Sequence, residues 1–179
     1  MIHSRTLSRL ALALALLPLA ACAMHRPALR LEGDDERAAV LAVVERTFDA
    51  IAAKGEESEA LWREVLLDAG SLSSVRVRED GTRGVMTLRF ADHFARFAQG
   101  EEDPRPYLER LWDPVVLIDG DIALVWGRYD FWLDEQFSHG GTDVITLLRT
   151  DAGWKIAALA WTHEPEARES PLGDPLFGE

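Results

Sequence analysis

Cysteine is almost missing from this chain. Cys22 is the single one in 179 residues, so no disulfide can form within it and stability has to come from a packed core. Basic charge is short as well. Lysine and arginine number 19 against 31 aspartate and glutamate, a formal net charge of −12. Such a surface repels nucleic acid and anionic membrane, and no nucleic-acid partner is expected. The acids are spread along the chain, which fits a solvated surface better than an acidic tail. There is no internal repeat and no second domain boundary. A nucleophile elbow, a glycine-rich phosphate loop and a Cys-x-x-Cys pair are all lacking, and no cofactor is expected.

The one long apolar run lies at the N-terminus. Arg5 and Arg9 precede Leu10 to Ala20, broken only by Pro18, and small residues follow at Ala20, Ala21 and Cys22. This reads as a secretory signal peptide, too short for a comfortable transmembrane helix. Leu19-Ala20-Ala21-Cys22 resembles a bacterial lipobox, whose cysteine is lipidated and becomes the new N-terminus. The other reading is an A-x-A-like cleavage at Ala21-Cys22-Ala23, which would leave a soluble periplasmic or secreted protein. Removing residues 1–21 leaves 17 basic and 31 acidic residues, a formal charge of −14. The expected organisation is a signal peptide at 1–21, the lipidated Cys22 and a tether at 22–33, a folded domain at 34–164, and a flexible C-terminal tail at 165–179. The expected address is the periplasmic face of a bacterial membrane, the outer one first.

Within the domain, Asp34 and Asp35 offer an N-cap, with Glu36 in the first turn. Val40, Leu41, Val44, Phe48, Ile51 and Ala52 then recur at threes and fours, an amphipathic helix ended by Lys54-Gly55. A shorter helix is expected from Glu57 to Leu67, burying Leu61, Val65 and either Trp62 or Leu66. Asp68-Ala69-Gly70 breaks the pattern, and Leu72 to Arg78 reads as a strand. Val85 to Phe90 reads as a short strand, and Ala91 to Gln99 as a helix with Phe94 and Phe97 in the core. From Tyr107 onward nearly everything is strand. The Asp119-Gly120 pair between apolar runs marks a hairpin. Asp121 to Leu133 alternates, with Trp126, Arg128, Asp130 and Trp132 on one face and Val125, Tyr129, Phe131 and Leu133 on the other. Glu135 to Gly140 is expected to turn the chain, Thr142 to Thr150 and Trp154 to His163 to be the last two strands. Helices at the front of an antiparallel sheet mean α+β, with the helices on one sheet face.

This order resembles the nuclear-transport-factor-2-like superfamily, in particular its SnoaL-like branches with a cystatin-like cone. The resemblance spans about residues 34 to 164. It rests on Asp119-Gly120-Asp121, Val125-Trp126, Tyr129, Ser138-His139-Gly140-Gly141-Thr142-Asp143, Arg149, Gly153-Trp154-Lys155-Ile156 and Trp161-Thr162. It implies helices packed in the concave face of a strongly curved, mostly antiparallel sheet, a ligand pocket at the cone's mouth, and a common homodimer. It implies no single activity, because that superfamily hosts isomerases, cyclases, dehydratases and inert binders.

The site residues come from the last strands. His139 and Asp143 are four apart on an extended segment and share a face, with Gly141 leaving open space between them. A carboxylate beside an imidazole fixes its tautomer and raises its pKa, which makes an acid-base pair; the plainer reading is a polar pair capping the strand end. Trp161 and His163 share a face with Lys155 and Leu159, near the level of His139. Aromatics with a few polar groups at a cavity mouth suit a small molecule. Trp126 completes the expected ligand-binding set. His139, Asp143 and His163 are metal-ligand types, but their spacing matches no metal motif, and no metal is expected. Tyr107 and Tyr129, the only tyrosines, stand in no recognisable copy of the ketosteroid isomerase oxyanion motif. The expected function is therefore an anchored ligand-binding or accessory domain with a pocket for a small apolar molecule. The alternative is a small cofactor-independent lyase or isomerase using His139 and Asp143.

Overall fold

The computed structural model of the chain describes residues 33–98, 105–165, 172, 173 and 175. The expected signal peptide, Cys22 with its expected lipid, most of the expected tether and most of the C-terminal tail lie outside the described residues, as does the side chain of Phe97.

The domain begins with α1 (Asp34–Ala52) and α2 (Gly55–Val65). The strand β1 (Leu66–Val77) and its hairpin partner β2 (Arg83–Arg89) follow, then α3 (Phe90–Ala98). Four long strands close the chain: β3 (Tyr107–Asp119), β4 (Ile122–Leu133), β5 (Gln136–Thr150) and β6 (Gly153–His163). They form one six-stranded sheet in the order β2-β1-β6-β5-β4-β3. All pairings are antiparallel except β1 with β6. The architecture is the expected α+β one. Among the described residues, no helix is long and apolar enough to cross a membrane.

The helices carry their apolar stripes onto the sheet. Val40, Val44 and Ala50 of α1 and Leu61, Trp62 and Val65 of α2 are buried against Val125, Ile145, Leu147 and Ile156 of the sheet. Gly33, not Asp34 or Asp35, is the N-cap of α1, and no side chain caps it. The three acids fall in the first turn, where they favour the helix dipole. One of them, Glu36, also anchors the helix: Arg149 donates to it at 3.1 and 2.8 Å, and Trp154 Nε1 at 3.3 Å.

Several boundaries depart from the sequence reading, each for a local reason. Asp68-Ala69-Gly70 does not break the chain but belongs to β1, with a register shift against β6 between Leu66 and Ser71. Glu135 to Gly140 is not a loop. The β4–β5 turn is only Asp134-Glu135, both at positive φ (52° and 61°), the two-residue turn that suits a hairpin's twist. It lacks the glycine or asparagine that usually announces such a turn. The strands β3 and β6 each contain a bulge. Trp112 pairs with Arg128 and Val115 with Trp126, so Asp113 (φ 51°) and Pro114 oppose Gly127 alone. Leu147 pairs with Ile156 and Thr146 with Ala158, which leaves Ala157 as the extra residue. A bulge reverses the alternation. Trp154 and Ile156 before it, and Leu159 and Trp161 after it, therefore all face the helices, and Lys155 does not share their face.

The outer sheet face is held by ion pairs. Asp130, 1 % exposed, accepts from Arg110 Nε at 2.9 Å and Nη2 at 2.5 Å. Arg110 also donates to the Gly173 carbonyl at 2.8 Å. Arg128 donates to Glu164 at 3.3 and 3.1 Å.

The space expected beside Gly141 is filled. The ring of Tyr129 lies there, and its hydroxyl crosses β5 to donate to the Thr162 carbonyl of β6 at 2.9 Å. A Cβ on Gly141 would sit 2.0 Å from that carbonyl oxygen and 2.8 Å from the tyrosine ring. Neither obstacle is a flexible tip. Gly141→Ala is expected to destabilise the domain by about 3 kcal/mol, and Tyr129→Phe by about 1 kcal/mol for the lost hydrogen bond. Urea denaturation of the three proteins measures both; a Gly141→Ala loss no larger than that of Tyr129→Phe would disprove the steric account.

Candidate functional site

A cavity of about 440 Å³ lies between the helices and the concave sheet face, a size suited to a small organic molecule. Ala50, Ile51 and Trp62 form its helical wall, and His93 of α3 closes one side. The sheet supplies Leu72, Phe131, Leu159 and Trp161 as apolar lining. Into this lining project two carboxyl groups, two tyrosines, His139 and Arg76.

The alternation of β5 puts His139, Gly141 and Asp143 on one face, and that face looks onto the cavity, which His139 and Asp143 line. Asp143 is 2 % exposed. It pairs in register with Gly127 on one side and Trp161 on the other. Its carboxyl partner is Glu109 of β3, to which it is hydrogen-bonded. Burial, the nearby Asp143 charge and that hydrogen bond push the Glu109 carboxyl well above its ordinary range. Burial pushes Asp143 up from 3.8 to about 7, while the hydrogen bond from Glu109 holds it down. Glu109 keeps its proton and donates it to Asp143, which ionises first. Two buried carboxyls so close cannot both be charged. Asp143 Oδ2 is buried and has no hydrogen-bond partner among the described residues.

His139 is not the partner of Asp143. Its Nδ1 lies 3.1 Å from Ser138 Oγ, and its ring stacks on His163 at 4.0 Å and 25°. The Phe131 ring lies 4.9 Å away and the Tyr129 ring 5.8 Å. Burial, then His163, then Arg76 lower its pKa to about 4. The expected upward shift from a carboxylate is thus reversed, and the imidazole is neutral at ordinary pH. His163 is lowered too, by burial first and Arg76 second. Tyr129 is raised by burial first and by Asp143 and Glu109 next, and stays a neutral phenol.

The expected ligand set divides accordingly. His139, Asp143 and Trp161 line the cavity, and His163 reaches it only through its stack on His139. Trp126 does not belong there. It points from the outer sheet face, 44 % exposed, in line with exposed Val115, Leu117 and Ile122. It shares the alternation of Arg128 and Asp130, opposite to Tyr129 and Phe131. Glu109, Arg76, Trp62 and both tyrosines are cavity residues that the sequence reading did not include in the site. Glu109 is in phase with Tyr107 and Leu111, but counting back from buried Ile118 through the bulge puts it on the wrong face. Among the described residues, no three His, Cys, Asp or Glu side chains converge as metal ligands.

No family model and no curated protein matches the chain. Solved structures do match it in fold. A protein of unknown function with a cystatin-like fold from Nostoc punctiforme superposes with a TM-score of 0.58 at 10% identity, over 78% of this chain and 97% of that one. A nuclear-transport-factor-2-like superfamily protein from Salmonella enterica gives 0.55 at 13% identity, over 78% and 97%. An NTF2-like protein from Cytophaga hutchinsonii gives 0.53 at 14% identity, over 71% and 97%. The fold is therefore NTF2-like, helices packed against a six-stranded, mostly antiparallel sheet, and the likeness extends to fold alone.

The carboxyl pair has a thermodynamic signature. Asp143 is held above its unfolded pKa, so folding is penalised wherever it is ionised. The cost is absent below about pH 4, grows with rising pH and is complete above about 7. A displacement from 3.8 to about 7 is worth about 4 kcal/mol. Glu36 and Asp80, held low by Arg149 and Thr82, act with the opposite sign. The diagnostic is therefore the difference between wild type and Asp143→Asn. The variant is expected to gain on wild type by a few kcal/mol between pH 4.5 and 8 in chemical denaturation. Parallel pH profiles would show that Asp143 ionises normally.

Proposed function

We propose that the chain is an exported lipoprotein, anchored through Cys22, whose cavity takes up a small apolar molecule and moves a proton on it. The reaction class is a cofactor-independent isomerisation or elimination. Asp143 is the base and Glu109 the acid that tunes it, in place of the His139 and Asp143 pair that the sequence suggested.

The observation that carries this reading is the proton-sharing Glu109–Asp143 pair, buried in the lining of the cavity. Burying such a pair costs several kcal/mol, and apolar side chains of similar volume would stabilise the fold better. A carboxylate whose pKa lies near the working pH is what a general base needs. Asp143 takes a proton from an acidic carbon of the substrate, and the electron pair of the broken C–H bond moves into the substrate. In an isomerisation the same carboxyl returns the proton to another carbon; in an elimination the pair expels a leaving group. His139, neutral beside it, contributes a polar contact and no charge.

Ring opening of a nitrobenzisoxazole tests the base without knowledge of the substrate. A base removes the ring C–H proton, the N–O bond breaks, and a coloured cyanophenolate forms. The rate is expected to rise with pH through a midpoint of about 7 and to level off above it. Asp143→Asn should lower kcat/KM by about 10²-fold or more. Glu109→Leu should move the midpoint upward, because the donor that favours the Asp143 anion is gone, and Glu109→Gln should leave it near the wild-type value. A midpoint near 4 would make His139 the base instead. Activity that survives Asp143→Asn would leave a binding module, recognised by a molecule that co-purifies with the protein.

The anchor has its own test. Expressed in an export-competent bacterium, the full chain is expected to partition with membranes and to carry acyl chains on Cys22 by mass spectrometry. Cys22→Ala should shift it to the soluble fraction. An unmodified Cys22, or a soluble wild type, overturns the anchor and leaves the cavity reading intact.

A further inference from the structure

The cavity is lined by a cation that no acid pairs with among the described residues. Arg76 lines it from β1, where the register sets it beside Gly84 of β2 and His163 of β6. Arginines on neighbouring strands hold carboxylates: Arg110 holds Asp130, Arg128 holds Glu164 and Arg149 holds Glu36. Among the described residues, Arg76 makes no hydrogen bond and no ion pair. In a chain with 31 acids against 19 bases, Arg76 is exposed and solvated where it lines the cavity, so its lack of an acid partner needs a second clue.

Its surroundings supply one. The groups nearest to it are the stacked imidazoles of His139 and His163, both neutral and both depressed in part by its charge. Lys54 stands on the helical side of the same cavity, its Nζ 3.5 Å from the centre of the Tyr107 ring. The Glu109–Asp143 acids sit elsewhere in the cavity and are bonded to each other. Between these poles the walls are Trp62, Leu72, Leu159 and Trp161. A guanidinium presents a planar fork that matches a carboxylate with two parallel hydrogen bonds. Arg76 is exposed where it lines the cavity, so the pairing relies on this two-pronged geometry and on the apolar body of the ligand held behind it.

We infer that the cavity's ligand is an amphipathic carboxylic acid, its carboxylate paired with Arg76 and its apolar body lying against the tryptophans toward Asp143. The inference deepens the proposed function and rests on its cavity. It adds the substrate's charge and orientation. The carboxylate fixes one end, so the carbon presented to Asp143 is set by the length of the apolar body. A neutral apolar molecule fills the same walls but leaves the guanidinium unmatched.

The test compares naphthalene carboxylate with naphthalene carboxamide, two probes of one shape and different charge, by calorimetric titration of the soluble domain from residue 33. The domain is first shown to be folded by its cooperative denaturation. The carboxylate is expected to bind at least about tenfold more tightly than the amide at low salt. Arg76→Gln should abolish that preference while leaving amide affinity unchanged, and Arg76→Lys should restore part of it. Equal binding of the two probes, or a preference that survives Arg76→Gln, overturns the inference. If the amide binds and the carboxylate does not, the inference falls while the cavity and its base stand. If neither binds at millimolar concentration, the cavity reading falls and takes the inference with it. The nitrobenzisoxazole reaction uses a neutral substrate, so its outcome reports on Asp143 independently of Arg76.

Discussion

The Tyr129 hydroxyl bonded to the Thr162 carbonyl is the contact on which the arrangement of the concave face depends. It joins β4 to β6 across the intervening β5, at the level where the cavity begins. The crossing requires that β5 present no side chain beneath the ring, and Gly141 meets that requirement. One position along, Gly127 leaves room for Leu111 and stands opposite Asp143 in register. Two residues without side chains thus set the positions of two large ones, Tyr129 and Leu111. The gap that remains admits the carboxyls of Glu109 and Asp143. The polar floor of the cavity follows from where the sheet has no side chains, as much as from where it has acids.

That floor is expensive. Hydrophobic burial contributes roughly 25 cal/mol per Å², and each enclosed carboxylate offsets several kcal/mol of it. The pair limits the cost by sharing: one proton lies between two carboxyls, so at most one charge is buried near neutrality. The contrast with Asp130 is instructive. That aspartate is equally buried, on the other face of the same sheet, but it accepts a two-pronged donation from Arg110. A structural carboxylate is matched by a guanidinium. Asp143 is matched by another acid, Glu109.

The architecture was legible in the sequence because it depends on period and turn chemistry. The α1 stripe, the Asp119-Gly120 hairpin and the alternation of β4 all stand as read. The shared face of His139 and Asp143 was legible for the same reason, but the direction in which that face looks was not. Their partners were not. A period-2 count assumes an unbroken ladder, and both β3 and β6 break it with an extra residue. The bulge at Asp113–Pro114 moves Glu109 to the cavity side, and the one at Ala157 separates Lys155 from Leu159 and Trp161. Trp126 failed differently. Its face was assigned correctly, alongside Arg128 and Asp130, but an exposed tryptophan was taken for a ligand contact. Charges on the same face pointed to the outside. Proximity in sequence also misled: four residues apart on one strand, His139 and Asp143 share a face, yet their rotamers lead them to different partners, Ser138 and His163 for one and Glu109 for the other.

The neutral imidazoles give the cavity its electrical polarity. Were His139 protonated by Asp143, the positive charge would sit between Arg76 and the carboxyls, and the acid pair would be held ionised and low. Instead burial and the Arg76 charge keep both histidines uncharged. The two stacked rings therefore add no charge of their own to a cavity lined by a cation and a proton-sharing acid pair. Water screens the exposed Arg76 while Asp143 is buried, so each end keeps its own chemistry. Asp143 stays basic enough to take a proton because no cation neutralises it, and Arg76 stays unmatched because no carboxylate reaches it. A site built only to bind an apolar molecule would need neither pole. One built to hold a charged end still while a proton moves at the other needs both, and needs them apart.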